Sequence, residues 1–202
     1  MNTITVRNNF PEIAARLNSL PEQVGNKAMV RALNQTMTQG KTEMARRISS
    51  EYRITVGKAK ERLDIDRASA RGGVLRFRAV LSAGNRGKGR SMNLISYLTK
   101  GKVSKAAARR SGKAGLAGQL QFQIKRGGGR KAIPGAFVGN SGRTVFIRQG
   151  KARLPIRALS TIDVPQMFNA RRINAAVRAV ILEKLQGNFN REVRVIMEGF
   201  RK

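Results

Sequence analysis

The basic side chains in the middle of the chain are the residues whose type and number most clearly predict a chemical role. From residue 67 to residue 162 the sequence contains 22 Lys or Arg and no Asp or Glu. A solvated surface normally mixes both signs of charge, so this segment predicts contact with a polyanion or an acidic protein surface. The cations expected to make that contact are Arg86, Lys88, Arg90, Lys105, Arg109, Arg110, Lys113, Arg126, Arg130 and Lys131.

Double-stranded nucleic acid is one polyanion that these cations could bind. Each Lys or Arg placed against a phosphate releases a counterion, which favours binding whatever the base sequence. Aromatic side chains on which bases could stack are scarce: the chain has only 8 Phe, 2 Tyr and no Trp, and few of these lie in the basic loops. The sequence therefore favours contact with the phosphate backbone over recognition of bases.

Few residues offer catalytic chemistry. The chain contains no Cys and no His, which excludes disulfides, thiolate or imidazole metal ligands, a Ser-His-Asp triad and a Cys nucleophile. A close acidic pair, Asp64 and Asp66, could share Mg²⁺ in a metal nuclease. The neighbouring Lys60, Arg62 and Arg67 favour local ion pairing instead. We therefore expect no enzyme activity, no metal and no cofactor.

The composition of the whole chain limits the kind of protein that presents these cations. A length of 202 residues suits one ordinary domain, and a formal net charge of +30 makes copies repel each other unless an anionic partner is close. No apolar run approaches the roughly 18 residues of a membrane span, and Met1 to Phe10 lacks the order of a signal peptide. We expect a protein made and used in a cytoplasm or in a particle assembled there, with no membrane contact and no small-molecule substrate.

Helices at both ends of the chain are predicted to position the basic segment. Apolar residues spaced three or four apart predict a long helix from Pro21 to about Ser50 and a C-terminal helix from Pro165 to about Met197. Shorter helices are predicted from Phe10 to Leu20 and from Val56 to Leu63. The stripe on the long N-terminal helix, expected to form core or a helix–helix seam, includes Met29, Leu33 and Met37.

Between the helices, alternating apolar residues predict a central, mostly antiparallel sheet with basic loops. Strands are expected near residues 75–81, 93–99, 120–124, 137–138 and 144–147. Residues 100–118 have few bulky apolar side chains and are predicted to form a flexible arm. The fold class is α+β in a single domain, with residues 1–66 helical, 67–162 basic and rich in strands and loops, and 163–202 forming the last helix.

A series of motifs resembles a known family. The run Ile133 to Phe137 (IPGAF), a turn, the strand Thr144 to Arg148, a basic loop into Leu154-Pro155-Ile156, and Val164 to Phe168 resemble the C-terminal half of the minor tail protein Z family of tailed bacteriophages. In the first half, Ala28 to Asn34 and Val56 to Leu63 look like the opening of that family. The resemblance covers roughly residues 24–168 and leaves the Gly/Ala-rich arm unmatched.

The resemblance implies a structural virion protein that acts late in tail assembly, in the host cytoplasm, at the head-proximal end of the tail. Such a tail completion protein aids head–tail joining and placement of the genome end. The implied partners are further copies in a hexameric ring, the tail terminator and tail tube proteins, the head–tail connector and the double-stranded DNA end. We assign the contacts between copies to Ile133, Pro134, Phe137, Met29, Leu33 and Met37.

Two questions stay open at the level of sequence. The alternative function is a free, sequence-independent nucleic-acid-binding protein that contacts the phosphate backbone as a monomer, with affinity that falls steeply with salt. If the chain is a tail protein, the basic segment of residues 67–162 could contact either DNA in the lumen of the tail or an acidic protein ring.

Overall fold

The computed structural model describes residues 2–6, 13, 15, 18–71, 74–84, 91–102, 104–110, 112 and 117–199. The helices are α1 (Glu22–Glu51), α2 (Val56–Glu61), α3 (Lys105–Arg110), α4 (Val164–Phe168) and α5 (Arg171–Gly199), with a 3₁₀ helix at Leu94–Tyr97. The strands are β1 (Asn2–Val6), β2 (Leu63–Asp66), β3 (Ser69–Arg71), β4 (Val74–Arg76), β5 (Ala79–Ala83), β6 (Met92–Asn93), β7 (Leu98–Lys102), β8 (Leu120–Phe122), β9 (Lys131–Ala132), β10 (Phe137–Gly139), β11 (Thr144–Arg148), β12 (Ile156–Ala158) and β13 (Ser160–Thr161).

The predicted α+β class is confirmed, and the long N-terminal helix lies where the apolar spacing placed it. The C-terminal helix predicted from Pro165 is interrupted at Asn169 and Ala170, so the short α4 precedes α5, which begins at Arg171. The strands form several small antiparallel sheets. The chain divides into two compact units. One, here called the helical unit, comprises residues 1–47, 56–89 and 164–202, and the other, the strand unit, comprises residues 48–55 and 90–163.

The helical unit buries the apolar stripes of its two long helices. Met29, Leu33 and Met37 on α1 are fully buried, and so are Val177 and Leu185 on α5. The unit also holds the sheet β1-β5-β2, in which β5 is central and every described side chain of β5 is buried. Two helical stripes and a sheet whose central strand is buried on both faces therefore supply this core, and the stripes account for the 3.6-residue period in its sequence.

The strand unit contains the sheets β7-β8-β9, β10-β11-β12 and β6-β13. The side chain of Asn93 joins two of them, because its Oδ1 accepts from the Val145 backbone N at 2.8 Å and its Nδ2 donates to the Val145 carbonyl at 3.2 Å. The same Oδ1 accepts from the Ile95 backbone N at 3.0 Å and caps the 3₁₀ helix. One part-buried amide thus stabilises the small sheets that have little core of their own.

Several local predictions differ from the structure. The helix expected to reach Leu63 ends at Glu61, because Leu63 and Ile65 alternate with Asp64 and Asp66 and form β2. Residues 93–99 contain the capped 3₁₀ helix rather than a continuous strand. The stretch 100–118 holds the end of β7 and, around three successive alanines, α3. The helix predicted over residues 10–20 lies largely outside the described residues.

Candidate interaction site

A loop between β8 and β9 carries four cations around three glycines. This glycine loop, Lys125–Lys131, connects β8 to β9, and its Lys125, Arg126, Arg130 and Lys131 are all exposed. Gln123 bridges two backbone carbonyls of the loop: its Nε2 donates to the carbonyls of Arg126 at 3.0 Å and Gly128 at 2.9 Å. Its Oε1 accepts from Arg53 Nη1 at 3.0 Å. These hydrogen bonds fix the backbone of the turn that carries the four cations.

The first half of the loop is attached to the last turn of α1. Arg126 Nε donates to the Ser49 carbonyl at 2.7 Å, and the Arg126 backbone N donates to the Glu51 carbonyl at 2.8 Å. These contacts satisfy carbonyl groups at a helix C-terminus, where a cation is also favoured by the helix dipole. Arg126 is thus partly engaged within the chain, whereas no such contact is seen for Arg130 or Lys131 among the described residues.

Lys125 lies between an acid and an aromatic side chain. Its Nζ is 4.0 Å from Glu51 Oε1 and 5.9 Å from the centroid of the Tyr52 ring. Burial, and secondarily the negative charge of Glu51, raise the pKa of the Tyr52 phenol above its usual value. Tyr52 therefore stays neutral near pH 7, and Glu51 is the group that offsets the Lys125 charge.

A second group of predicted cations lies on α3. Lys105, Arg109 and Arg110 are exposed there, and the four-residue spacing of Lys105 and Arg109 places them on one face of the short helix. The four remaining predicted contact residues, Arg86, Lys88, Arg90 and Lys113, lie outside the described residues. The structure thus brings the predicted cations together at two described places, the glycine loop and α3.

The sheet β10-β11-β12 presents an apolar face with a cation on it. Phe137 and Phe146 are opposite each other on neighbouring strands, with ring centroids 6.0 Å apart. The guanidinium carbon of Arg148 lies 4.8 Å from the centroid of Phe137, a cation–π distance. Ile156, opposite Arg148 on β12, is 39% exposed. We call Phe137, Phe146, Arg148 and Ile156 the aromatic face.

The turn that leads into the aromatic face has the geometry its sequence predicts. The Ala136 backbone N donates to the Ile133 carbonyl at 3.2 Å, and Gly135 has φ of 73°. Proline at the second position and glycine at the positive-φ third position are typical of a type II turn. Pro134 is exposed at the turn, while Ile133 and Phe137 on either side of it are half-buried. These three residues remain available for contact with another molecule.

The other three residues assigned to contacts between copies are not available in this way. Met29, Leu33 and Met37 have no exposed surface in the single chain. They face the interior of the helical unit, as expected of an apolar stripe on a long helix, so they offer a second copy nothing to pack against. The assignment of these three residues to an oligomeric contact is therefore not carried further.

The described residues show no arrangement of ligands for a metal ion. Asp64 and Asp66 lie two residues apart on β2, but no cluster of three acidic side chains occurs in the described ranges. Within the same ranges, no helix has both the length and the apolar character needed to cross a bilayer.

Sequence reasoning missed the role of Arg148 and the partners that hold the glycine loop. The first was detectable, because Phe146 and Arg148 are two residues apart on a predicted strand and so share a face. The second was not, because Arg53 and Gln123 are 70 residues apart in the chain.

An α+β protein with exposed cations and an exposed aromatic face has surface features suited to contact with other macromolecules. The family model of prophage minor tail protein Z (GPZ) matches residues 12–199. The chain belongs to this family of phage minor tail proteins, which supports a structural role in the tail and makes it a virion component. No curated protein and no solved structure matches it significantly.

Proposed function

We propose that the chain is a non-enzymatic tail completion protein, placed at the head-proximal end of the tail and needed for head–tail joining and positioning of the genome end. The observation that carries the proposal is the family match over residues 12–199. Tail terminator, tail tube and head–tail connector proteins are its proposed neighbours, and host cytoplasm is the place of assembly.

The aromatic face supports the part of the proposal that concerns contacts between copies. A half-exposed pair of phenyl rings beside Arg148 and Ile156 offers apolar area with a cation at its edge, a combination common in protein interfaces. Pro134 and Ile133 extend this surface along the preceding turn. We propose that these residues contact the next copy in a closed, hexameric ring.

The exposed cations support a requirement for an anionic neighbour. Several copies of a chain with net charge +30 repel one another over a Debye length of about 8 Å at physiological salt, so the ring needs an acidic protein ring or DNA beside it. The glycine loop and α3 are the described surfaces best placed for that contact. Assembly and neutralisation of charge would then occur together.

Deletion of the gene from the phage or prophage that encodes the chain tests the proposal. We expect heads and tails to accumulate unjoined, or joined particles to be non-infectious, and a plasmid copy to restore infection. A gold-labelled antibody should mark wild-type particles where the tail meets the head. Normal infectivity without the chain, or a label at the opposite tail end, would overturn the proposal.

Complementation with variants distinguishes a specific loss of the aromatic-face contact from a general loss of stability. Phe137→Ala combined with Ile156→Gln should fail to restore infection and should lower the oligomer mass measured in solution. Leu182→Gln is the matched control, because Leu182 is an exposed apolar residue (48%) on α5, outside the proposed contact. Equal effects of the two changes would contradict the assignment of the ring contact.

The exposed cations of the glycine loop favour one alternative function, that of a free nucleic-acid-binding protein. Such a protein would coat duplex DNA as a monomer and would be missing from purified particles. Detection of the chain in particles by mass spectrometry, with no monomer binding to duplex DNA at physiological salt, would exclude this alternative.

A further inference from the structure

An apolar groove in the strand unit shares Ile133 with the proposed ring contact but contains none of the four residues of the aromatic face. Its volume is about 620 Å³, within the range of protein ligand sites. Leu94 and Phe122, 6% and 3% exposed, are the most buried residues of its lining. The apolar side chains of Ile124, Ile133 and Ile162 also line it and are partly exposed. The groove therefore offers water-accessible apolar surface that a partner could cover.

Strands with a free edge border the groove on two sides. Lys131 and Ala132 of β9, with the following Ile133, line one part, and β13 with the following Ile162 lines another. β9 is the outer strand of β7-β8-β9, and β13 pairs only with β6 among the described strands. An outer strand carries backbone N–H and C=O groups that can pair with one more strand. An extended peptide is the ligand that uses both the apolar surface and these edges.

The charge of the groove indicates which extended peptide fits. Lys125 and Lys131 line it and are exposed, and Arg126 and Arg130 stand in the same glycine loop. A strand that places alternate side chains on the apolar surface turns the others toward these cations. Carboxylates at those alternate positions complement the charge, and would also give faster association than a neutral segment.

A second copy of this chain is a poor source for that segment. Asp64 and Asp66, which alternate with Leu63 and Ile65 in β2, are the only acids in the sequence with this spacing. Leu63 is fully buried and β2 is paired with β5 inside the helical unit. Nucleic acid is also disfavoured, because the lining is mainly aliphatic and its one aromatic side chain, Phe122, is buried.

We propose that this groove binds an extended segment of another protein, in which aliphatic residues alternate with Asp or Glu, as an added strand beside β9 or β13. Aliphatic side chains of the segment cover Ile124, Ile133 and Ile162, and its carboxylates pair with Lys125 and Lys131. This inference does not rest on the position of the chain in the tail.

Binding of labelled synthetic peptides to the purified full chain tests the proposal. The probe is a fluorescein-labelled peptide of about six residues, the usual length of a strand, with valine alternating with glutamate. Fluorescence anisotropy at physiological salt should show saturable binding. Three control peptides should each bind at least about tenfold more weakly: one with serine for valine, one with lysine for glutamate, and one with N-methylated amides that cannot pair with a strand edge.

Protein variants locate the site. Ile162→Gln should weaken binding of the valine–glutamate peptide about tenfold, through loss of apolar burial. The matched control Leu182→Gln, an exposed leucine on α5 that lines neither the groove nor the proposed ring contact, should leave it unchanged. Lys131→Gln should weaken binding severalfold at low salt, and Arg157→Gln should not. Circular dichroism melting of each variant confirms that the fold is retained.

Several outcomes would overturn the proposal. Equal binding of the serine-containing peptide would mean that the cations alone attract it. An unchanged affinity in Ile162→Gln would place the peptide elsewhere. Competition by duplex DNA that depends on Ile162 would make nucleic acid the occupant, and loss of self-association in Ile162→Gln would make it a second copy. Failure of the proposed tail function would instead appear in the gene-deletion experiment, which does not involve these peptides.

Discussion

Asn188 on α5 donates a hydrogen bond from Nδ2 to Oγ1 of Thr36 on α1 over 2.8 Å, although 152 residues separate the two in the chain. Both side chains are buried, at 6% and 1% exposure, and the same Nδ2 lies 3.0 Å from Gln39 Oε1. A shift of either helix along the other would leave these polar groups buried without partners, which costs more than a hydrogen bond gains. This small polar cluster therefore fixes how the two long helices align.

Asn188→Ala should destabilise the protein by about 1–3 kcal/mol, because it leaves the Thr36 hydroxyl buried with its donor removed. Urea unfolding followed by circular dichroism measures the change. Arg194→Ala, an exposed substitution on the same helix, should stay within about 0.5 kcal/mol of wild type. Equal stability of Asn188→Ala and wild type would contradict the inference that the cost of unpaired polar groups aligns the two helices.

Gly40→Ala should also be destabilising, although alanine favours a helix by about 1 kcal/mol over glycine. A Cβ at Gly40 would lie 2.8 Å from both Cδ1 and Cγ1 of the buried Ile181, and overpacking of this kind costs about 1–3 kcal/mol. In an Ile181→Ala background the space is open, so the same change should become stabilising. Thermal unfolding of the wild type, the two single variants and the double variant gives the coupling free energy between positions 40 and 181.

Gly187→Ala is the matched control for that cycle. No described atom lies within 4 Å of a Cβ at this helical position, so alanine there should stabilise by about 1 kcal/mol in both backgrounds. A destabilising Gly187→Ala would mean that the effect at Gly40 has a cause other than contact with Ile181.

Gln123→Ala should weaken binding of duplex DNA without removing any charge. Without its three hydrogen bonds the glycine loop samples more conformations. DNA binding must then order cations that the wild-type loop already holds in place. An ordering cost of about 1 kcal/mol corresponds to an affinity about fivefold lower. Hydrogen exchange at residues 125–130 should accelerate in the same variant, whereas Gln149→Ala, on an exposed turn, should change neither measurement.

Arg130→Ala should make the salt dependence of duplex DNA binding less steep. For B-DNA the slope of log affinity against log salt changes by about 0.9 for each phosphate that the protein no longer neutralises. Arg178→Ala removes another exposed cation, this one from α5, and should leave the slope unchanged. The same slope in both variants would indicate that Arg130 binds no phosphate, and would favour an acidic protein as the partner of the loop.

The parts of this fold that follow local rules are the parts that sequence predicts. Ile173, Val177, Ile181 and Leu185 recur at helical spacing and all are buried, so α5 follows directly from its apolar period. The boundary near Leu63 was missed because a lysine-rich helical run continues without a break into residues whose alternation marks a strand.

The interaction surfaces divide in the same way. The cations of the glycine loop could be named from the sequence, because charge and glycine content are local properties. Their fixed arrangement could not, since it depends on Ser49 and Arg53, which lie 77 residues before Arg126 and 70 residues before Gln123. The apolar groove is also invisible in the sequence, because its lining comes from segments as distant as Leu94 and Ile162.

The long basic segment without carboxylates has a consequence for how the protein responds to acidity. The segment carries its charge on Lys and Arg, and the chain contains no His, the side chain whose charge ordinarily changes between pH 5 and 8. Its charge therefore changes little between mildly acidic and mildly alkaline surroundings. We therefore expect any contact that these cations make with phosphate groups to respond to ionic strength far more than to a mild change in pH.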